Sequence, residues 1–279
     1  MVLDPRAAAG PATVEEKVSA VDAKIRVVGA TKVYETKSGP VHALEDFSVD
    51  IHDGELVCIL GPSGCGKTTL LWAMSGLHGL TGGQVVLDGE PITGPRPREI
   101  GVIFQDANLL PWRNLRQNIE FPFEIKGETR DRERIAGLVE VTGLAGFEGA
   151  MPRELSGGMQ QRASIVRALA QDPAVLLMDE PFGALDAFTR DEMNLLLLKL
   201  WSESQKTVVF VTHNIGEAIF LADRVVVMTS RPGRLARIFD IDLPRPRTIE
   251  MTFEPRFISL IQEIKQTVEA GGLRTLEIE

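Results

Sequence analysis

The residues with the clearest chemical pattern lie between positions 61 and 68. They read Gly-Pro-Ser-Gly-Cys-Gly-Lys-Thr, which fits the spacing G-x-x-x-x-G-K-[ST]. Three glycines let the backbone turn back and direct its N–H groups inward, where the positive end of a following helix favours an anion. Lys67 is expected to reach the β- and γ-phosphates of a nucleotide, and the Thr68 hydroxyl to ligate Mg²⁺. The pattern predicts a loop that binds a nucleoside triphosphate; the alternative is a glycine-rich turn without a ligand.

The segments on either side of this loop have the character that a phosphate loop requires. The apolar run at 56–60 predicts a buried strand that leads into the loop. Residues 69–74 have helical character and lead out of it. This strand–loop–helix context favours the nucleotide interpretation over the bare turn.

A second pair of chemical residues, Asp179 and Glu180, follows the apolar run at 175–178. Carboxylates at the end of a strand are often only a solvated turn. In a chain with a phosphate loop, however, Asp179 can hold Mg²⁺ through its water shell, and Glu180 can polarise the attacking water as a general base. We therefore predict metal and acid–base roles for this pair.

The segment 155–162, Leu-Ser-Gly-Gly-Met-Gln-Gln-Arg, narrows the class further. Ser156 is a good helix N-cap, and the two glycines after it leave N–H groups open to a phosphate. The simplest reading of the segment alone is a capped helix. With its position between the phosphate loop and the carboxylates, however, the chain resembles the ATP-binding-cassette (ABC) ATPases over about residues 25–245, and in that family this segment is the signature motif.

The resemblance implies roles for four further residues. Tyr34 would stack on adenine, Gln105 would touch Mg²⁺ or the lytic water, Asp186 would make a contact across a dimer, and His213 would donate to the γ-phosphate. Nucleotide contacts are expected at Tyr34, Gly61, Pro62, Ser63, Gly64, Cys65, Gly66, Lys67, Thr68, Thr69, Ser156, Gly157, Gly158, Gln160 and Asp186. The catalytic set is Glu180, His213, Gln105 and Lys67, and the metal ligands are Thr68, Gln105 and Asp179. The cofactors are ATP and Mg²⁺.

The order of the predicted elements indicates an α/β fold. Strands that alternate with helices predict a mainly parallel sheet, the core of a P-loop NTPase, and β-branched runs near the start predict an N-terminal antiparallel β-subdomain. A helical block at about 106–170 predicts an inserted signature subdomain. We expect a flexible tail at 1–24, the ATPase domain at 25–245 and a short helical extension at 246–279.

Composition excludes several classes of protein. The net charge of −9 disfavours nucleic-acid binding. No apolar run approaches the roughly 18 residues that cross a bilayer, and the first residues lack the apolar core of a secretory signal. The two cysteines, Cys58 and Cys65, do not indicate a disulfide framework, so the cytosol is the expected compartment.

The partners are implied by the resemblance. A second copy would complete the ATP site, so we expect a homodimer. The apolar segment 106–126 would receive a transmembrane permease, with an extracytoplasmic solute-binding protein as an indirect partner. This segment, together with 230–234 and 243–247, resembles the nitrate, sulfonate, taurine and bicarbonate importers, which act at the cytoplasmic face of the membrane. The alternatives are a soluble ABC ATPase of translation or DNA repair, or an ABC subunit for another solute.

Two smaller expectations concern side chains. Cys65 lies in the phosphate loop, so a bulky thiol reagent is expected to inhibit and MgATP to protect. The arginines between 231 and 247 are expected to form a solvated, salt-bridged surface rather than an anion site.

Overall fold

A computed structural model of the protein describes residues 23–273 and contains two sheets with helices packed around them. The strands are β1 (Ala23–Thr36), β2 (Gly39–His52), β3 (Leu56–Leu60), β4 (Gly82–Leu87), β5 (Glu90–Pro91), β6 (Ile100–Ile103), β7 (Val175–Asp179), β8 (Thr207–Thr212), β9 (Arg224–Met228) and β10 (Leu235–Asp240). The α-helices are α1 (Lys67–Met74), α2 (Leu115–Lys126), α3 (Arg132–Val141), α4 (Gly157–Leu169), α5 (Ala187–Ser204), α6 (Ile215–Leu221) and α7 (Pro255–Leu273). Two short 3-10 helices lie at Pro152–Glu154 and Ile249–Phe253.

The two sheets confirm the predicted fold class. The N-terminal sheet has the order β2-β1-β4-β5 and is antiparallel throughout. The second sheet has the order β10-β9-β3-β8-β7-β6, and its pairs are parallel except for β10 with β9. Strand β1 begins at Ala23, two residues before the predicted start of the domain, and residues 1–22 lie outside the described part.

The core divides according to the alternation of side chains along the second sheet. In β3, Leu56, Cys58 and Leu60 face one apolar cluster, which contains residues of α5, α6 and α7. Val57 and Ile59 face the other cluster, which contains residues of the antiparallel sheet and α1. Because successive side chains of a strand point to opposite faces, these apolar strands are buried on both sides.

A third apolar cluster forms the predicted helical subdomain from α2, α3 and α4. Asn114 caps α2 in a reciprocal pair with Gln117, and Ser156 caps α4 by accepting from the Met159 N–H at 3.3 Å. The preceding stretch 106–114 is not helical, so the helical block begins at Leu115 rather than at 106.

Among the arginines between 231 and 247, Arg247 differs from the expected solvated surface, whereas Arg234 and Arg245 form the expected ion pairs, with Glu45 and Asp223. Arg247 is buried and donates to the backbone carbonyls of Ile219, Phe220 and Ala222 at 2.7–3.0 Å. Burial lowers its pKa to about 10. Its guanidinium therefore satisfies the carbonyls at the end of α6, a structural role that its sequence context did not reveal.

In residues 23–273, none of the helices combines the length and the apolar character that crossing a bilayer would take.

Candidate nucleotide site

The strand order brings the predicted functional residues to one edge of the parallel sheet. The phosphate loop follows β3, His213 follows β8, and Asp179 is the last residue of β7, with Glu180 directly after it. These three strands are neighbours in the sheet, and β6, which precedes Gln105, pairs with β7 on its far side. Ligands of open α/β sheets bind at the carboxyl ends of the strands, where these residues meet.

Glycine is required in the phosphate loop for two different reasons. Gly64 and Gly66 have φ values of +75° and +106°, which side chains with a Cβ rarely adopt. A Cβ on Gly66 would also lie 2.6 Å from the Ala43 carbonyl oxygen. Gly61 has no such φ, but a Cβ there would lie 2.8 Å from the Sγ of Cys65. The conformation of the loop thus depends on close packing at Gly61 and Gly66 as well as on the positive φ angles of Gly64 and Gly66.

Lys67 lies under this loop with its side chain 4% exposed. Its Nζ donates to the carbonyls of Gly61 at 2.9 Å and Pro62 at 3.2 Å, and lies 3.4 Å from Oε1 of Glu180. The ammonium group is therefore positioned between the loop and the carboxylate, where a phosphate would meet it.

Thr68 and Asp179 form a direct pair. The Thr68 hydroxyl donates to Oδ1 of Asp179 at 3.0 Å. Burial raises the pKa of the Asp179 carboxyl, and the hydrogen bond from Thr68 opposes that shift. A buried carboxylate beside a hydroxyl gives oxygen donors of the kind that Mg²⁺ prefers. In residues 23–273 no three His, Cys, Asp or Glu side chains gather as a metal site, so such an ion would need further ligands of other kinds, such as an amide oxygen, water or phosphate.

Glu180 and His213 form the second pair. Nδ1 of His213 lies 2.8 Å from Oε2 of Glu180, whose backbone is left-handed with φ 44°. The Glu180 N–H donates to the carbonyl of Val211 in β8, which fixes the residue against its neighbouring strand. A glutamate in this conformation is held by its surroundings, as is frequent at functional sites.

A buried group behind His213 was not found by the sequence analysis. The Thr212 hydroxyl donates to the carboxylate of Glu217 and accepts from the Asn214 N–H at 3.0 Å, while Asn214 caps α6 by accepting from the Glu217 N–H at 3.1 Å. Burial raises the pKa of Glu217. The spacing Asn214-x-x-Glu217 resembles a capping box, and that signal would have indicated this network.

Gln105 is exposed, and the backbone around it is tied to α4. The carbonyl of the preceding residue, Phe104, accepts from Nε2 of Gln161 at 3.3 Å. Arg167 donates to the carbonyls of Ala107 and Asn108 at 2.7 and 2.8 Å. These bonds join the segment after β6 to the helix that starts at the signature motif, and neither Gln161 nor Arg167 was singled out from the sequence.

Tyr34 is half-buried at the border of the phosphate loop. Its hydroxyl lies 3.5 Å from Oγ1 of Thr69, and Nζ of Lys32 lies 5.1 Å from its ring centroid. The ring is therefore beside the loop, while its stacking on adenine stays a prediction.

The signature residues lie apart from these contacts. Ser156 and Gly157 are exposed, and Gln160 uses its amide on the carbonyls of Pro152 and Leu155 at 3.0 and 3.1 Å. A Cβ on Gly158 would lie 2.9 Å from the methyl group of Thr189, at the start of α5. Within the described chain, no hydrogen bond or ion pair joins 156–160 to the phosphate loop.

Asp186 caps α5. It accepts from the Thr189 N–H at 3.0 Å and from the Thr189 hydroxyl at 2.8 Å, and the first of these bonds lowers the pKa of its carboxyl. Its predicted contact across a dimer is untested by these bonds, which are all local.

The thiol of Cys65 is not accessible, contrary to the expectation of ready inhibition by thiol reagents. The residue is 1% exposed, and its side chain belongs to the core below the loop. Burial raises its pKa, which lowers the fraction of reactive thiolate.

Comparisons with known proteins agree with this geometry. The sequence profile of a family described as ABC transporter matches residues 44–183. An uncharacterized ABC transporter ATP-binding protein of Methanocaldococcus jannaschii is 49% identical over 80% of this chain and 84% of its own length. The aliphatic sulfonates import ATP-binding protein SsuB of Bacillus cereus is 41% identical over 89% of this chain and 97% of its own. A dimeric ATP-binding cassette in a post-hydrolysis state, bound to ADP and Pi, superposes with a TM-score of 0.70 at 33% identity, over 79% of this chain and all of that one.

Proposed function

We propose, from the premise that this chain belongs to the ABC transporter family, that two copies of it close around two molecules of MgATP and drive a separate membrane permease. As a member of that family the chain is an ATPase, and its substrate is ATP with Mg²⁺. The observation that carries the proposal is the separation within one chain: the phosphate loop and carboxylates are assembled at one sheet edge, while the signature residues are exposed elsewhere.

The proposed chemistry is attack of water on the γ-phosphorus. Glu180 takes a proton from the attacking water as general base, and the products are ADP and phosphate. Lys67 and the loop N–H groups neutralise charge on the phosphates. His213, which contacts Glu180 at 2.8 Å, keeps the carboxylate in place and donates toward the γ-phosphate. Gln105 completes the set at the end of β6 by contacting the ion or the water.

The residues at the sheet edge fit a bound Mg²⁺. Thr68 and Asp179 would hold it, with Gln105 as a further oxygen donor, because these residues offer hydroxyl, carboxylate and amide oxygens. When bound, the ion would supply charge neutralisation to the phosphates. It would also compensate the Asp179 carboxylate, whose pKa is raised by burial.

The dimer follows from what one chain leaves incomplete. In the proposed arrangement the exposed N-terminus of α4, with Ser156 and Gly157, covers the ATP held by the phosphate loop of the second copy. Asp186, at the neighbouring start of α5, lies against that copy. The solved relative bound to ADP and Pi is described as dimeric, which supports this arrangement.

A mixing experiment tests the shared site. Lys67→Ala inactivates the phosphate loop of a copy, and Ser156→Arg blocks its signature surface. Each variant alone is expected to hydrolyse ATP at under about 1% of the wild-type rate, because it lacks groups that stabilise charge on the phosphates. Mixed one to one, the heterodimers regain one intact site, formed by the loop of the Ser156→Arg copy and the signature of the Lys67→Ala copy.

The matched control replaces Ser156→Arg with Ser202→Arg, an exposed serine on α5 whose hydroxyl bonds only within its own helix. This variant is expected to be active without mixing. If the two inactive variants stay inactive together, although copies that carry two different affinity tags copurify in the presence of ATP, the head-to-tail site is wrong.

The proposed surface for the permease is the segment 106–126. Trp112 and Ile125 are each 70% exposed, whereas Phe123 is buried in the helical subdomain. Asn118 is fully buried and bonds to the backbone of Leu110 in both directions, at 2.7 and 3.2 Å. A single amide thus shapes the loop that presents Trp112. Trp112→Ser is expected to prevent copurification with the permease while leaving ATP binding intact.

We further propose that the permease imports an aliphatic sulfonate or a related small anion, delivered by an extracytoplasmic solute-binding protein, and that the chain lies at the cytoplasmic face of the membrane. The sulfonate importer subunit of Bacillus cereus supports this assignment. The experiment is ATP-dependent uptake by proteoliposomes that contain this chain and its permease, with butanesulfonate, taurine, nitrate and bicarbonate compared. Copurification with ribosomes or DNA-repair proteins instead of a permease would favour the soluble alternative.

A further inference from the structure

An open cavity of about 780 Å³ lies between α7 and the turn that joins β9 to β10. Its wall carries Arg231, Arg234 and Arg237, and Glu263 is the one carboxylate in the part of the wall that the structure describes. The chain as a whole has a net charge of −9, so the local positive charge of these arginines is opposite in sign to that of the protein. It lies outside the predicted nucleotide residues.

Two of these arginines have no ion-pair partner among residues 23–273. Arg234 pairs with Glu45 at 2.7 Å, and Glu263 pairs with Arg256 at 3.3 Å. Arg231 and Arg237, by contrast, form no ion pair with any residue between 23 and 273. The cavity therefore presents two guanidinium groups that an anion could neutralise.

The rest of the wall favours an organic anion over a bare inorganic ion. Leu235, Ala236 and Ala270 contribute apolar surface, and Thr267 and Gln266 contribute a hydroxyl and an amide. The volume is within the range of small-molecule sites and is much larger than one tetrahedral oxyanion needs. A short carbon chain that ends in a sulfonate or phosphate group would use both the charges and the apolar wall.

The same wall touches the phosphate loop. Nε of Arg231 donates to the carbonyl of Gly64 at 3.2 Å. Gly233 packs so closely on the loop that a Cβ there would lie 2.2 Å from the carbonyl oxygen of Cys65. The turn at 229–234 is therefore a support for the back of the phosphate loop.

On its other side this turn contacts the C-terminal helix. The Ser230 hydroxyl donates to the carbonyl of Gly271 in α7 at 3.1 Å. A Cβ on Gly271 would be in ordinary contact with Thr229, at 3.5 Å. One turn thus joins the cavity, the C-terminal helix and the nucleotide site.

We propose that this cavity binds a small organic oxyanion and that its occupancy strengthens nucleotide binding. A guanidinium has five N–H donors, and Arg231 uses only the one on Nε to donate to the Gly64 carbonyl. A bound anion would take the donors on the cavity side, immobilise the side chain and so stabilise the loop conformation that receives phosphate. The proposed hydrolysis uses no residue of the cavity wall, so the site would be an additional, regulatory one.

The first test is calorimetric titration of the full chain with butane-1-sulfonate at constant ionic strength, with and without saturating MgADP. Binding is expected in both conditions. Arg237→Gln should weaken it about tenfold or more, the range for losing one charge-assisted contact. Arg98→Gln is the matched control: it removes an exposed arginine that pairs with Glu128 far from the cavity wall, and it should change nothing.

Two results would overturn the site. If Arg98→Gln weakened sulfonate binding as much as Arg237→Gln does, the anion would be attracted nonspecifically by surface arginines. Loss of binding in saturating MgADP would mean that the sulfonate had occupied the phosphate loop.

The second test is the coupling between the two ligands. Butane-1-sulfonate should lower the Kd of MgADP about fivefold, and by linkage MgADP should lower the Kd of the sulfonate by the same factor. Arg231→Gln should bring that factor to one. A wild-type factor of one would refute the coupling. Titration of MgADP without sulfonate measures the nucleotide site independently, so its failure is distinguishable from failure of this proposal.

Discussion

The sheet edge and the start of α4 both carry predicted phosphate-binding groups, but they differ in how complete they are. At the sheet edge, Lys67 contacts Glu180, Thr68 contacts Asp179, and His213 contacts Glu180. At the start of α4, Ser156 bonds only within its own helix turn and is open to solvent. One region has its chemistry prearranged, and the other is a rigid, capped surface that lacks a counterpart. This difference is the reason for proposing that a second copy completes the site.

The largest expected effect distinguishes ATP hydrolysis from ATP binding at the sheet edge. Glu180→Gln should lower ATP turnover by about 10²–10⁴-fold, since the amide cannot take the proton, while ATP affinity stays within about twofold. The variant should accumulate as an ATP-bound dimer in size-exclusion chromatography. Glu133→Gln, a change on α3 outside the site, is the control. Retention of wild-type turnover by Glu180→Gln would remove Glu180 as the base.

A second effect tests how rigidly the phosphate loop is packed. In a Cys58→Ala background Cys65 is the only thiol. Because it is buried and its pKa is raised, a maleimide should modify it more than about tenfold slower in the folded protein than after unfolding in guanidinium. Time-resolved mass spectrometry measures both rates. Equal rates would show that the loop opens readily, and the sheet edge would then be no more prearranged than the signature region.

A smaller effect isolates the capped surface. Ser156→Ala removes the hydroxyl that accepts from the Met159 N–H and should lower the free energy of unfolding by about 1 kcal/mol. Thermal unfolding measures this change, and Ser202→Ala, in the last turn of α5, is a serine control that is not an N-cap. MgADP affinity of the monomer should not change. A loss of that affinity would contradict the separation of the two regions.

The smallest effect concerns the ionised carboxylate of Asp179 at the sheet edge. The folded pKa of Asp179 lies above the unfolded value, so its ionised form lowers stability as pH rises through these values. Asp179→Asn should therefore raise the Tm of the nucleotide-free protein by about 2 °C at pH 7 and by less near pH 3, where the carboxyl is protonated in both states. It should also weaken Mg²⁺-dependent ATP binding. A lower Tm at pH 7 would show that the carboxylate stabilises the free fold.

Sequence patterns were sufficient for the elements that are governed by local rules. The buried strands around Asp179 and the phosphate loop, and the cap at Ser156, follow from apolar runs and from the residues that end them. The patterns did not reveal the buried roles of Arg247 and Glu217, because their partners are carbonyls and hydroxyls that only the folded chain brings together. The inaccessibility of Cys65 has the same origin, since its side chain is covered by residues distant in the sequence.

The attachment of the helical subdomain has a mechanical consequence. The chain leaves the parallel sheet after β6, its outermost parallel strand, and returns to it in β7, the strand next to it. Both chain connections to the subdomain are therefore at the edge of the sheet, and neither starts from the inner strands β9, β3 and β8. If the permease contacts Trp112 as proposed, a displacement of the subdomain would reach the parallel sheet through its edge strands, at the segment that contains Gln105.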